Sequence, residues 1–209
     1  MKSLRRSYYN VFSRFYDSFV ALHSSDAQNV VRGYLSELAP VAEGEKVLDI
    51  CTGTGSLLPY LRQKVGPSGS VVGVDFSRGM LAANRQKTKD FESIWLVEAD
   101  AAFLPFAGGS FDAVTCSHAF YELKGEAQER TLREILRILK PGKVFLMMEH
   151  DVPEKSLVRA LFYIRMISMG AKRALAILKH ERRTLESYFS RVEKVASPSG
   201  RSKIMICRK

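Results

Sequence analysis

The sequence predicts one α/β domain whose mostly parallel sheet is covered by helices on both faces and finished by an antiparallel hairpin. Three observations predict it. From residue 46 onward, short apolar runs rich in Val, Ile and Phe alternate with longer segments of helical periodicity, the signature of βα repeats. The last two apolar runs flank Pro198, Ser199 and Gly200, which reads as a hairpin added to a parallel sheet. A chain of 209 residues, 46% hydrophobic and 26% charged, is long enough to bury one core and lacks a disordered or fibrous bias.

Taken in order, residues 1–40 are read as an N-terminal helical lid. Tyr8, Tyr9, Phe12, Phe15, Tyr16 and Phe19 recur at three- to four-residue intervals, so the stripe packs over the domain, with Tyr16 turned toward a ligand in the sharper reading. Strands are expected at 46–50, 70–75, 94–98, 111–116 and 143–149, with helices at about 56–65, 78–89 and 126–139 between them. The last helix is the clearest. Leu132, Ile135, Leu136 and Leu139 fall on one face, Glu126 and Glu129 lie in its first turns, and Pro141-Gly142 stops it. Residues 151–190 form a helical insertion, with a long stretch over 155–183 and a short helix at 184–190. The hairpin strands RVEKVAS and SKIMICR close the domain, which spans 1–209.

Charge is placed unevenly. Residues 151–209 carry 14 Lys and Arg against 5 Asp and Glu, and so hold nearly all of the net +10. That points to an anionic neighbour for this part of the chain. Segment 155–183 is too charged to span a bilayer, because Arg159, Arg165, Lys172 and Arg173 interrupt its apolar run. Its basic residues suit peripheral contact with a membrane surface, and a lid over the site or a helix covering the sheet with a solvated basic face are the other readings open for it. Nucleic acid is disfavoured, since the basic residues alternate with aliphatics rather than with a base-stacking platform. The positively charged start lacks a following apolar run and cleavage site, so a cytoplasmic protein is expected. Cys51, Cys116 and Cys207 are odd in number and without CxxC spacing, and no metal site is expected.

Chemistry concentrates in Asp49-Ile50-Cys51-Thr52-Gly53-Thr54-Gly55, where a strand gives way to a helix at the edge on which open α/β sheets bind ligands. Gly53 and Gly55 permit a sharp turn and a close ligand approach near helix amides. Asp75 ends the next strand, where an acidic side chain accepts ribose hydroxyls, so a nucleoside ligand is implied. Leu58 stands where the third glycine of a dinucleotide fingerprint would be, and no GxxxxGK[ST] or HExxH occurs.

Together, LDICTGTG, VVGVDFSRGML, EADAAFLPFAGGSFDAVTCSHAFYEL and LREILRILKPGKVFLMMEHD resemble the successive motifs of class I S-adenosylmethionine-dependent methyltransferases. Within that superfamily the chain is similar to the ubiquinone/menaquinone C-methyltransferase (methyltransferase type 11) group. The resemblance covers residues 8–150, and residues 184–209 in topology. It implies S-adenosylmethionine as cofactor, leaving S-adenosylhomocysteine, with Asp49, Gly53 and Gly55 beside the methionine portion, Asp75 on the ribose, and Thr52 of the same loop among the cofactor-binding residues. Phe76 and Met80 would lie against the adenine, Asp100 and Ala101 at its amino edge, and Ser117 near the reactive methyl, with Tyr16 from the lid. Cys51 stands where many relatives have the first loop glycine, and the group's YDxMN pattern is met only as Tyr16-Asp17.

Methyl transfer from a sulfonium is an in-line displacement, so positioning supplies much of the acceleration and a base is needed only when the acceptor loses a proton. His118 and Tyr121 are the candidate catalytic residues, with His118 suited by its ordinary pKa to proton transfer near neutrality. The expected acceptor is a small lipophilic, quinone-like molecule. The alternatives are a phospholipid amine N-methyltransferase, or a non-catalytic S-adenosylmethionine-binding module with a basic interaction surface.

Overall fold

The computed structural model describes residues 8–10, 13, 16, 30–123, 125–151, 181–198, 200 and 202–209. Residues 155–180 of the helical stretch expected over 155–183, and most of the N-terminal stripe, lie outside these residues.

Seven strands form one sheet in the order β3-β2-β1-β4-β5-β7-β6. They are β1 (Lys46–Ile50), β2 (Ser70–Asp75), β3 (Ile94–Glu98), β4 (Phe111–Ser117), β5 (Leu139–His150), β6 (Arg191–Ala196) and β7 (Ser202–Arg208). The helices are α1 (Val30–Leu38), α2 (Leu58–Val65), α3 (Arg78–Thr88) and α4 (Glu126–Ile138). Residues 181–186 are also helical. Strands β1 to β5 are parallel, and β7 runs antiparallel to both β5 and β6. The expected mixed sheet and terminal hairpin are therefore both present.

The core lies on both faces of the sheet. On one, Val31 and Leu35 of α1 and Leu58, Leu61 and Val65 of α2 pack on Val47, Val71, Leu146 and Met148. On the other, Leu132, Ile135 and Ile138 of α4, with Leu185 and Phe189, cover Phe145, Met147 and Met205. Helix α4 shows how its pattern dictates this arrangement. Its apolar residues at three-residue spacing are fully buried, while Glu126–Arg130 and Glu129–Arg133 pair along the solvent face.

Several boundaries differ from expectation for local reasons. Helix α2 begins at Leu58 because Gly55 to Leu57 form a turn, in which Leu58 N donates to Gly55 O. Strand β5 starts at Leu139, four residues early, because Leu139 is already extended and pairs with Phe111 before the ladder shifts register. Pro141-Gly142, expected as a helix stop, thus lies inside an irregular strand. The short helix near 184–190 covers residues 181–186 instead. Tyr8, expected in the buried stripe, is 57% exposed. At the hairpin tip Ser197 N donates to Ser202 O, Ser202 N to Ser197 Oγ and Gly200 N to Ser197 O.

Candidate functional site

Strand order reverses between β1 and β4, since β2 and β3 lie to one side of β1 and β4 and β5 to the other. In open α/β sheets this switch opens a crevice at the carboxyl ends of the strands. Cys51, just after β1, and His118, just after β4, both hold left-handed backbone conformations with φ of 53° and 51°. Such conformations cost roughly 1–2 kcal/mol for residues with a Cβ. The loops here leave the sheet in fixed directions, because Thr52 N donates to Val74 O (2.9 Å), Ala99 N to Asp75 O (3.1 Å) and His118 N to Met148 O (2.8 Å).

Asp75 is 6% exposed at the end of β2. Its Oδ2 accepts from Gly53 N at 2.9 Å and its Oδ1 from Ser77 N at 2.9 Å, which ties the glycine turn to the start of α3. Burial raises its pKa, against the pull of these amides, and Glu122 adds to the rise. Gly53 has φ 56° with nothing within 4 Å of where a Cβ would stand, whereas a Cβ on Gly55 (φ 78°) would lie 2.0 Å from Asn84 Oδ1. The first glycine leaves space open and the second lets Asn84 close under the turn. Asn84 Nδ2 donates to Gly53 O at 3.3 Å.

Asp49, 2% exposed, sits one strand over. Thr115 Oγ1 donates to it at 2.7 Å, yet burial pushes the carboxyl up to about 6. Met80 is buried in α3, and its amide donates to the N-cap Ser77 Oγ. Half-buried Phe76 meets the Tyr9 ring edge-on at 5.8 Å. Asp100 Oδ1 accepts from Ala102 N at 3.0 Å, which makes it the cap of the turn after β3, with Ala101 buried beside it.

Ser117 ends β4, and His118 and Tyr121, which follow it, both approach His150. The His118 ring lies 4.6 Å from that of His150 at the end of β5, and Tyr121 lies 6.3 Å from His150. Burial, with His150 and Arg32 adding to it, pulls His118 down to about 3. The sequence expectation of an ordinary imidazole pKa therefore gives way to a ring that stays neutral at physiological pH.

Four residues reach this edge that the sequence reading did not assign to the site. Tyr9 Oη donates to both carboxyl oxygens of Glu122, at 2.7 and 2.6 Å. Asn10 Oδ1 accepts from Ser77 Oγ at 2.8 Å and from Gly79 N at 3.0 Å. The N-terminal segment thus straps the start of α3 to the turn after β4. Tyr16 is half-buried in that segment, but the described contacts run through Tyr9 and Asn10. The fourth is Glu149, fully buried at the end of β5. Aromatic periodicity flags Tyr9 but cannot say which ring faces the site, and a lone Glu inside an apolar strand was the available signal for Glu149.

Among the described residues, the buried side-chain polar atoms without a hydrogen bond are Thr52 Oγ1, Ser117 Oγ, His118 Nδ1 and Glu149 Oε2. All four stand at the carboxyl ends of β1, β4 and β5. Folded proteins leave few such atoms, so their clustering marks a surface built to meet a ligand.

The comparisons with known proteins bear on the family and the fold. Residues 47–142 match the family described as methyltransferase domain. Over 161 residues the chain is 33% identical to the demethylmenaquinone methyltransferase of several Staphylococcus aureus strains, a match covering 77% of this chain and 66% of theirs. Among solved structures it resembles an S-adenosylmethionine-dependent methyltransferase from Aquifex aeolicus (TM-score 0.65, 19% identity, 92% of this chain and 97% of that one). Another from Methanococcus maripaludis aligns with a TM-score of 0.68 at 16% identity, over 96% and 93% of the two chains. At those identities the structures share the fold, and the sequence relatives supply the kinship. With the motif order, the switch-point geometry and these likenesses in hand, the chain belongs to the class I S-adenosylmethionine-dependent methyltransferases.

Proposed function

We propose that the protein transfers a methyl group from S-adenosylmethionine to a small, lipophilic, quinone-like acceptor. The observation that carries the reading is Asp75, buried at the sheet switch with one lone pair on each oxygen used by the amides of Gly53 and Ser77. A carboxylate offers about four acceptor sites, so two are left for ribose hydroxyls. The open space before Gly53 and the unpartnered Ser117 Oγ fit the rest of such a ligand.

In this reading Asp49, Thr52, Gly53 and Gly55 hold the methionine portion, Phe76 and Met80 flank the adenine, and Asp100 with Ala101 meets its amino edge. Ser117 lies toward the reacting centre, and the N-terminal strap with Tyr16 closes over it. When bound, the sulfonium supplies an activated methyl that the acceptor displaces in line. His118, neutral and with Nδ1 unpartnered, accepts a hydrogen bond from an acceptor hydroxyl and orients it with Tyr121. A ring with so low a pKa is a weak base, so this assigns it orientation before proton removal. The quinone-like acceptor is supported by the demethylmenaquinone methyltransferase relatives. Contact with a membrane surface through the basic residues of 155–183 would bring the protein to such an acceptor. No described helix is long and apolar enough to cross a membrane.

The test is calorimetric binding of S-adenosylmethionine to the native protein and to Asp75→Ala, followed by turnover on a demethylnaphthoquinol with a short isoprenoid tail and on phosphatidylethanolamine vesicles. Binding that Asp75→Ala weakens about a hundredfold or more, as loss of two hydrogen bonds to a charged group implies, with turnover on the quinol, supports the proposal. Methylation of the phospholipid amine alone would replace the acceptor, and an unchanged affinity in a folded Asp75→Ala would remove the ribose assignment.

A further inference from the structure

Glu149 is a carboxyl at the site's edge that the cofactor assignment leaves unused, and its surroundings are unusual. It is 1% exposed, and its Oε1 accepts from the amides of Phe120 (2.8 Å) and Tyr121 (3.3 Å), the residues that open the turn Phe120–Glu122 after β4. Its Oε2 has no partner. Across the sheet Glu149 is paired with Lys203 of β7, but the Lys203 ammonium bonds Glu181 instead. Lys203 and Glu181 are 4% and 5% exposed.

Two buried carboxyls therefore share one buried ammonium. Desolvation makes an uncompensated second negative charge costly, so one carboxyl keeps its proton. Glu181 has the ammonium in contact, and Glu149 is left as the acid. Burial, with the charge of Glu181 adding to it, pushes Glu149 up to about 8, while the two amides and Lys203 pull the other way. The other titratable groups facing it from the described elements are the Cys116 thiol of β4 and, through the turn it holds, Tyr121 and Glu122. Since Oε1 is occupied by two N–H donors, the proton sits on Oε2.

We propose that Glu149, in its protonated form, is a positioning residue of the methyl-transfer site, clamping the backbone of Phe120 and Tyr121 so that the segment His118–Tyr121 is held at the carboxyl edge of β4. This rests on the methyltransferase reading above and adds a residue that acts through the loop rather than on the acceptor. Deprotonation strengthens the two amide hydrogen bonds to Oε1 but adds a second buried negative charge next to Glu181, so the carboxyl and the loop it holds shift together and the loop's geometry follows the Glu149 proton. Glutamine keeps a carbonyl acceptor for the two amides and carries no charge, so it mimics the acid.

The experiment compares the native protein with Glu149→Gln and Glu149→Ala. The amide resonances of Phe120 and Tyr121 and the ring resonances of His118 are followed from pH 6 to 9.5, a range set around the value of about 8. In the native protein they should move together through one step near that value, and in Glu149→Gln the step should vanish while the pH 7 positions persist. Turnover at saturating S-adenosylmethionine should drop roughly tenfold in kcat for Glu149→Ala with the cofactor KM unchanged, a loss of positioning rather than of binding. Glu149→Gln should keep native kcat at pH 7 and lose the alkaline limb. The proposal is overturned if the resonances show no common step in the native protein, or if Glu149→Gln retains it. It also falls if Glu149→Gln is as impaired as Glu149→Ala while both stay folded. If no acceptor turns over, the proposed acceptor fails but the resonance comparison still decides the role of Glu149.

Discussion

The two ends of the same strands treat their carboxyl groups in opposite ways. At the amino end, Asp112 of β4 is held by Lys140 Nζ at 2.8 Å and by Lys46 N at 3.1 Å, with Lys143 at 3.3 Å, and Lys143 also pairs with Glu45. Burial raises Asp112, but the Lys140 and Lys143 partners overcome it and its pKa falls below the ordinary value. At the carboxyl end, Asp49, Asp75 and Glu149 receive amides and a hydroxyl rather than a cation, and all have raised pKa values. One end closes its electrostatics internally and stabilises the sheet. The other leaves acceptor capacity open, which is the difference between a scaffold and a site.

The strongest way to break this comparison is to remove an acid from each end. Asp75→Ala should cost about a hundredfold or more in S-adenosylmethionine affinity while shifting the urea midpoint less than Asp112→Ala does, because water entering the emptied site can take up the amides of Gly53 and Ser77. Asp112→Ala should do the reverse, lowering stability by about 1–3 kcal/mol in urea titrations, discounted for the partly exposed lysines, with cofactor affinity unchanged. Equal effects on both readouts in both variants would erase the distinction.

Titration sharpens it, because the two ends have opposite signs. Glu149 holds its proton to about 8 in the folded state against an ordinary 4.5, so its contribution is complete below 4.5 and is lost as pH rises toward 8. Asp112 lies below its ordinary 3.8, so its contribution is present above that value and is lost as pH falls through the folded one. Urea midpoints against pH should therefore lose the part of their fall that lies toward 8 in Glu149→Gln, the part nearer 6 staying with Asp49, and lose part of their acid-side drop in Asp112→Asn. The smallest effect is expected away from both ends. Arg130→Ala, which removes the solvent-face pair with Glu126 on α4, should change stability by less than about 0.5 kcal/mol.

Much of this was legible in the sequence because it rests on local rules. Strand and helix periodicity located β1, β2, β3 and β7 to the residue, and the glycines and Asp75 marked the switch point. What was not legible depends on tertiary contact. The early start of β5 follows from Leu139 finding Phe111 across the sheet, which overrides the Pro-Gly stop signal. The depressed His118 follows from burial against His150, thirty-two positions along the chain, so no local pattern announces it. Tyr9 and Glu122 lie 113 residues apart, and only the folded chain shows that they meet. Glu149 looked like the polar end of an apolar strand until its amide partners and the competing Glu181–Lys203 pair were in place.

The reversed direction of β7 has an engineering consequence. Its pairing of Ser202 with His150 delivers the hairpin tip between Ala196 and Ser202 to the same edge as the ends of β4 and β5. The tip is closed by its own turn bonds at Ser197, not by the sheet ladder. Surface turns of this kind accept length changes that a strand would not. Grafts or loop libraries placed there would remodel the edge at the ends of β4 and β5 while the half of the sheet built from β1 to β3 keeps its shape.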